Sequence, residues 1–160
     1  MGALKIRPLA QRDRKAIREM LAACGAFTAE EIRVARQVLD HGIAGGLDGD
    51  YPSFAAELED EVRGLISVGQ TPLTRATWHE YWLCVHPAAQ GRGIGQALQA
   101  HAEKFVRSRG GERLVVETSG RAEYARPRRF YRRAGYRRVG RIRNFYRRGD
   151  DCIYFCKELA

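Results

Sequence analysis

Three glycines at two-residue spacing could form an anion-binding site. Gly91, Gly93 and Gly95 follow an apolar run that ends at Val85, and they precede a segment with helical periodicity. Backbone N–H groups at the start of a helix have no partner within the helix, and the helix dipole makes this end positive. Glycines let the oxygens of an anion approach these groups closely. The segment therefore predicts a loop that binds phosphate groups.

The spacing excludes two well-known glycine loops. A P-loop requires Gly-Lys followed by Ser or Thr, which is missing here, and the dinucleotide-binding pattern requires a glycine at Gln96 or Leu98. What remains is Gln-x-x-Gly-x-Gly, from Gln90 to Gly95, after a strand that ends in Val-His-Pro.

The stretch VHPAAQGRGIGQALQAHAEKFVRSRG resembles the acetyl-CoA loop of the GNAT superfamily of N-acetyltransferases. The resemblance implies that the amides from Arg92 to Gly95 bind the pyrophosphate of acetyl-CoA and that the Arg92 side chain adds charge. It also implies that the preceding strand splays from the next one, offers its backbone to the pantetheine arm and directs an N–H near Leu83 at the thioester carbonyl. The candidate cofactor-binding residues are Leu83, Cys84, Val85, Gln90, Gly91, Arg92, Gly93, Ile94, Gly95 and Tyr124.

A second segment, from Phe130 to Tyr136, is similar to the family's F-Y-x-x-x-G-F/Y motif. There the tyrosine reaches the sulfur of CoA, so Tyr131 is the candidate general acid for the departing thiolate; the alternative is that it only packs. The sequence departs from the family at Tyr124 and Pro127, where many members carry Asn and Ala, which puts the usual contact of that Asn with the cofactor in question.

Two neighbouring residues are candidates for the general base that deprotonates the acceptor amine. Counting back from Gln90, the position that the family often uses falls on His79, with Glu80 beside it. Strand alternation sends these side chains to opposite faces of the sheet, so only one of them can serve, and we place His79 slightly ahead. For each, the alternative is an ordinary polar residue of the strand.

The positive charge of the chain is concentrated in one segment, which we call the arginine belt. Between Arg126 and Arg148 there are eleven arginines and no acidic residue, which leaves 17 basic against 19 acidic residues elsewhere. This pattern favours a solvated face that attracts the charged CoA over a nucleic-acid surface, which we do not expect. An acidic group on the acceptor or the 3′-phosphate of CoA is a further candidate ligand of the belt.

The predicted elements follow the order β-α-α-β-β-β-α-β-α-β-β, an α/β fold with a mixed, mostly antiparallel GNAT-like sheet flanked by helices. We expect a single acetyltransferase domain over residues 1–160. A glycine-rich loop is predicted from Gly42 to Pro52, a short helix from Pro127 to Ala134, and final strands from Tyr136 to Ile142 and from Cys152 to Lys157.

Composition narrows the class of protein. No stretch reaches the length of a membrane span and no signal peptide is visible, so we expect a soluble cytoplasmic protein without membrane contact. The four cysteines and four histidines show no metal-ligand spacing, so we expect reduced, mostly buried thiols, with Cys84 in a packing role, and no metal cofactor.

These observations predict an N-acetyltransferase that moves an acetyl group from acetyl-CoA, its cosubstrate, directly to a primary amine of a small molecule or peptide. The alternatives are a non-catalytic module that binds or senses acyl-CoA and a nucleic-acid-binding protein built on the arginine belt. A homodimer is a further expectation from the family.

Overall fold

The computed structural model describes residues 3–159. Its elements follow the predicted order, with short 3-10 turns between some of them. The strands are β1 (Lys5–Pro8), β2 (Ser53–Leu58), β3 (Glu61–Gln70), β4 (Thr77–Val85), β5 (Arg113–Ser119), β6 (Arg137–Arg147) and β7 (Asp150–Glu158). The helices are α1 (Arg14–Ala23), α2 (Ala29–Gly45), α3 (Ile94–Ser108) and α4 (Ala125–Arg133).

The seven strands form one hydrogen-bonded sheet in the order β1-β2-β3-β4-β5-β7-β6. The β1/β2, β2/β3, β5/β7 and β6/β7 pairs are antiparallel, whereas β4 and β5 are parallel. The parallel register runs from Thr77 opposite Arg113 to Glu80 opposite Val116. The predicted fold class, a mixed and mostly antiparallel sheet flanked by helices, is therefore confirmed.

The chain divides into two compact units. One contains residues 3–69 and Tyr81–Lys104, and the other contains Gln70–Glu80 and residues 105–159. In the first unit, α1 and α2 bury one apolar stripe each beside β2 and β3, because their apolar residues recur at helical spacing. The fully buried residues of this core include Met20, Leu21, Ala35, Ala55 and Leu65.

In the second unit, β5 and β7 form the buried centre and β6 the exposed edge. Trp78 of β4 packs edge-on against Phe105 with 5.9 Å between ring centroids. Gly111 lies so close to both elements that an added Cβ would be 2.3 Å from Val106 Cγ1 and 2.7 Å from Trp78 Cδ1. This close approach explains why glycine follows the end of α3.

The prediction of a loop from Gly42 to Pro52 is wrong for the first half of this segment. Helix α2 continues to Gly45, and a 3-10 turn follows over Gly46–Asp48. An added Cβ at Gly42 would lie 2.5 Å from the Tyr51 carbonyl oxygen. Gly42 is therefore required for close packing rather than for ending the helix. The helix ends at Gly46, whose φ of +62° lies in the left-handed region.

Helix α4 begins two residues earlier than predicted. It starts at Ala125, directly after a 3-10 turn over Ala122–Tyr124, and Pro127 lies in its first turn. Proline is tolerated there because the first N–H groups of a helix have no intrahelical partner.

The final strand pair is longer than predicted. β6 reaches Arg147 and β7 starts at Asp150, because Asn144 takes a φ of +52° at a register shift and pairing then resumes with Arg147 opposite Asp150. The side chain of Asn144 accepts a hydrogen bond from the Gly149 amide at 2.8 Å, which closes the turn.

Candidate active site

The predicted phosphate loop has the backbone geometry of an anion-binding nest. Gly91 and Gly93 have φ values of +79° and +80°, whereas Arg92 between them is not in the left-handed region. Alternation of left- and right-handed residues turns successive N–H groups toward one point. A Cβ built on either glycine meets no atom within 4 Å, so glycine is required here by the backbone conformation and not by crowding.

The amides of this nest have no acceptor within the described chain. The first helical hydrogen bond of α3 runs from the Ala97 amide to the Gly93 carbonyl at 3.0 Å. Within residues 3–159, the amides of Arg92, Gly93, Ile94 and Gly95 donate to no other group. The donors are therefore available to an oxyanion at the positive end of the α3 dipole.

Packing fixes the start of α3 in place. A Cβ on Gly64 of β3 would lie 2.9 Å from both Ile94 Cγ2 and Leu98 Cδ1, so the helix contacts the β3 backbone directly. The Gln90 side chain donates a hydrogen bond from Nε2 to the Val85 carbonyl at 3.2 Å and braces the loop against the end of β4. These contacts preorganise the nest before any ligand arrives.

Arg92 belongs to the loop, and its positively charged side chain forms an ion pair. Its guanidinium contacts Glu59 Oε1 at 3.4 Å, and both side chains are exposed. An exposed pair of this kind is weak, so an anion at the loop competes readily with Glu59.

The remaining cofactor candidates lie on β4 and before α4. Leu83 and Val85 are half-buried and Cys84 is buried, all beyond Glu80, where the described parallel register with β5 ends. Tyr124 is half-buried and is the residue from which α4 begins.

The second unit brings Tyr131 and Glu80 together. The hydroxyl of Tyr131, on α4, donates a hydrogen bond to Glu80 Oε1 at 2.6 Å. The exposed fraction is 7% for Tyr131 and 3% for Glu80, so the pair is shielded from bulk water. The Tyr131 ring lies 6.0 Å from Phe155 and 5.7 Å from Tyr136 between centroids, which fixes its position over β7.

Burial raises the pKa of Tyr131 well above its ordinary value, and the charge and hydrogen bond of Glu80 raise it further. Both effects disfavour the phenolate, because a buried negative charge is poorly solvated and would face a carboxylate. The phenol therefore keeps its proton at neutral pH, and the pair can hold a proton between two oxygen atoms.

His79 directly precedes Glu80 on β4, so strand alternation directs its side chain to the opposite face of the sheet. It is half-buried and stands opposite Val115. Burial lowers its pKa, and the nearby carboxylate of Glu117 opposes this shift. The imidazole is therefore neutral at pH 7 and chemically able to accept a proton, but strand alternation directs it to the face opposite Glu80, the hydrogen-bond partner of Tyr131.

Part of the arginine belt lines a cavity of about 220 Å³ in the second unit. Arg128 donates to the Ser119 and Arg121 carbonyls at 2.6 and 2.8 Å, and Arg141 Nε donates to Asp151 Oδ2 at 2.6 Å. Burial and repulsion from neighbouring arginines lower the pKa of Arg128. The cavity is lined by Gly120, Arg128, Arg132, Arg138, Arg141, Asp151 and Ile153.

Sequence reasoning missed two contacts. It named Tyr131 and Glu80 but not their hydrogen bond, and it did not pair Cys24 with Cys84, whose sulfur atoms lie 2.8 Å apart. Both contacts join residues at least 51 positions apart, so no local pattern could have shown them.

Over the described residues 3–159, no group of three or more His, Cys, Asp or Glu side chains could hold a metal ion. Within the same range, no helix has both the length and the apolar composition needed to cross a membrane.

Comparison with known proteins identifies the family to which this chain is similar. Residues 49–138, more than half of the chain, match the family model described as an acetyltransferase (GNAT) domain. Mycothiol acetyltransferase from Beutenbergia cavernae is 34% identical over 114 residues, which are 70% of this chain and 35% of that protein. This chain thus spans about a third of the length of that curated relative.

Solved structures share the fold. A GNAT-family protein from Desulfovibrio desulfuricans has a TM-score of 0.93 at 37% identity, with 99% of this chain and 100% of that chain covered. An aminoglycoside 6'-N-acetyltransferase complexed with coenzyme A has a TM-score of 0.75 at 18% identity, with 98% and 97% covered. On the family match and the similarity along its length, the chain belongs to the GNAT acetyltransferase family.

Proposed function

We propose that this protein is an acetyl-CoA-dependent N-acetyltransferase that transfers the acetyl group directly to a primary amine of a small molecule or peptide. The observation that carries the proposal is the nest at the start of α3, whose amides from Arg92 to Gly95 have no acceptor in residues 3–159. These donors fit the pyrophosphate of acetyl-CoA, the proposed cosubstrate. Membership of the GNAT family supports the same assignment.

The proposed roles of the other cofactor residues follow from their positions on β4 and α4. The backbone of Leu83, Cys84 and Val85 binds the pantetheine arm, and the Leu83 amide stabilises the oxyanion that develops at the thioester carbonyl. Gln90 braces the loop through the Val85 carbonyl. Tyr124, at the start of α4, contacts the cofactor in place of the Asn that many family members carry.

Tyr131 and Glu80 supply a proton path in the proposed mechanism. Glu80 accepts the proton of the acceptor ammonium, which frees the amine lone pair for attack on the thioester. Tyr131 donates its proton to the leaving sulfur and regains one from Glu80 through their hydrogen bond of 2.6 Å. One ammonium proton thus ends on the thiol, and the second proton, which the nitrogen loses as the tetrahedral intermediate collapses to the amide, is released to water. The raised pKa of Tyr131 keeps the phenol protonated until the thiolate forms.

His79 is the alternative base. Its lowered pKa leaves it neutral at pH 7, but its side chain lies on the face of β4 opposite to Glu80 and Tyr131. We therefore assign the base to Glu80. We further propose that the protein is a single domain located in the cytoplasm and that it acts as a monomer or a homodimer. It requires no metal and does not contact a membrane.

The test is the rate of thiol release from acetyl-CoA with a panel of amines. We expect Tyr131→Phe and Glu80→Gln each to lower kcat by roughly 100-fold, as is typical for a lost general acid or base. His79→Gln and the exposed Tyr146→Phe are the controls and should stay close to the parent. An unchanged rate in Tyr131→Phe removes this residue from the mechanism, and a larger loss in His79→Gln than in Glu80→Gln reverses the assignment of the base.

The same assay separates the enzyme from a non-catalytic acyl-CoA-binding module. That module binds CoA and releases no thiol with any amine. An enzyme releases thiol with at least one amine class and yields the acetylated amine in equal amount.

A further inference from the structure

Two cysteines that are 60 positions apart in the chain meet in the first unit. Cys24 is the residue at which α1 ends, and Cys84 lies on β4. Their Sγ atoms are 2.8 Å apart, and both thiols are free. A disulfide bond requires about 2.05 Å between the sulfur atoms. The remaining gap is smaller than an ordinary thermal displacement of a side chain.

Both thiols are held by rigid elements. Met20 and Leu21, one turn before Cys24, are completely buried, and Cys84 belongs to the same core. The Cys24 thiol also donates to the Val85 carbonyl at 3.7 Å, which keeps it against β4. The two sulfur atoms therefore remain neighbours without a rearrangement of α1.

Exposure distinguishes the two sulfur atoms. Cys24 is half-buried, whereas Cys84 has an exposed fraction of 4%. The contact with the Cys84 thiol lowers the pKa of Cys24, and the Cys24 contact together with burial raises the pKa of Cys84. Because the thiolate is the nucleophile, exposure and these shifts make Cys24, and not Cys84, the thiol that is better suited to react with an oxidant from solvent.

We propose that Cys24 and Cys84 form a reversible disulfide when the protein meets a hydroperoxide. The Cys24 thiolate attacks one oxygen of hydrogen peroxide, becomes a sulfenic acid and releases hydroxide, which takes a proton to give water. The Cys84 sulfur then attacks the Cys24 sulfur, and the sulfenic oxygen leaves as a second water with the Cys84 proton. Two thiols lose two electrons and two protons, and one peroxide becomes two waters.

The other two cysteines do not share this geometry. Cys152 and Cys156 both lie on β7, four residues apart, so their Cα atoms are about 13 Å apart along the strand. Cys152 is buried and Cys156 is half-buried like Cys24. Cys156 is therefore the matched control for accessibility.

The bond would form on the strand that the proposed function assigns to the pantetheine arm, since Cys84 lies between Leu83 and Val85. The proposal itself does not depend on acetyl transfer. Its test reads thiols and peptide masses, so its failure and the failure of the proposed function remain distinguishable.

The experiment exposes the folded, full-length protein to hydrogen peroxide, blocks the remaining thiols and digests with trypsin. We expect two of the four thiols to disappear and a cross-linked pair of peptides, residues 19–33 and 76–92, to appear. Dithiothreitol should restore both thiols. The oxidised protein should also melt at a higher temperature, because the bond constrains the unfolded chain.

Variants test the order of events. Cys156→Ser should form the same cross-link at the same rate as the parent. Cys84→Ser should accumulate oxygen on Cys24, and Cys24→Ser should keep its three remaining thiols. Four intact thiols after oxidation of the parent, or added oxygen on Cys24 of the parent without a cross-link, would overturn the proposal.

Discussion

Burial of Tyr131 beside Glu80 couples the chemistry of one hydroxyl to the stability of the fold. The pKa of Tyr131 is raised well above 10 by burial and by the Glu80 carboxylate. The unfolded chain releases this proton near pH 10, whereas the folded chain keeps it. The phenol therefore contributes stability that is fully present below about pH 10 and is lost as pH rises beyond it.

This linkage gives a prediction for Tyr131→Phe. Between about pH 9 and pH 11, the free energy of unfolding of the parent should fall more steeply than that of the variant, because only the parent loses the Tyr131 proton on unfolding. Urea denaturation at a series of pH values measures both slopes. Parallel curves for the two proteins would show that the hydroxyl is not buried against a carboxylate.

The arrangement of His79, Glu80 and Tyr131 was predictable from the sequence only in part. Strand alternation placed His79 and Glu80 on opposite faces of β4, because side-chain direction alternates with a period of two residues. It could not show which of the two faces Tyr131, since that depends on how α4 lies over β7. The tyrosine ring packs against Phe155 and Tyr136, and these tertiary contacts select Glu80 as its partner.

At the scale of elements, α2 shows a local signal that was sufficient. Thr28 and Glu31 form a capping box: Thr28 Oγ1 accepts from the Glu31 amide at 3.2 Å, and the Thr28 amide donates to Glu31 Oε2 at 2.6 Å. The start of the helix was predictable because every partner lies within four residues. The end of the helix was not predictable, because Gly42 is a glycine for close packing against Tyr51 and Ser53, which lie beyond the helix, and not because it ends the helix.

The capping box predicts the effect of Thr28→Ala. The substitution removes the acceptor of the Glu31 amide, so the free energy of unfolding should fall by about 1 kcal/mol. Thr28→Ser keeps the oxygen and is the control, with an expected loss well below that of alanine. Chemical denaturation measures both, and equal losses would mean that the methyl group and not the cap carries the effect.

At the scale of the whole molecule, charge is distributed unevenly. The net charge of +9 arises because the arginine belt holds eleven arginines without an acidic residue. Within residues 3–159, Arg128, Arg132 and Arg138 form no ion pair with a carboxylate. A concentrated positive field of this kind speeds the encounter with a multiply charged anion such as acetyl-CoA.

This field predicts a salt dependence. Raising NaCl from about 20 mM to about 300 mM should increase the KM for acetyl-CoA several-fold, because the Debye length shortens to well under 10 Å. The double variant Arg132→Gln/Arg138→Gln should show a weaker dependence, with kcat close to the parent. Steady-state rates at constant pH provide the measurement. A KM that is independent of salt would mean that the arginine belt does not attract the cosubstrate.

The proposed function requires acetyl-CoA to bind at the glycine nest, and calorimetric titration with acetyl-CoA measures this binding. Gly93→Ala and Gly110→Ala are a matched pair, with φ values of +80° and +76° and no atom within 4 Å of the added Cβ in either. They carry the same backbone strain, but only the first alters the nest. We predict binding at least ten-fold weaker for Gly93→Ala, about 1.4 kcal/mol, and parent-like binding for Gly110→Ala. No heat with the parent, or equal affinity in all three proteins, would show that the nest does not bind the pyrophosphate of acetyl-CoA.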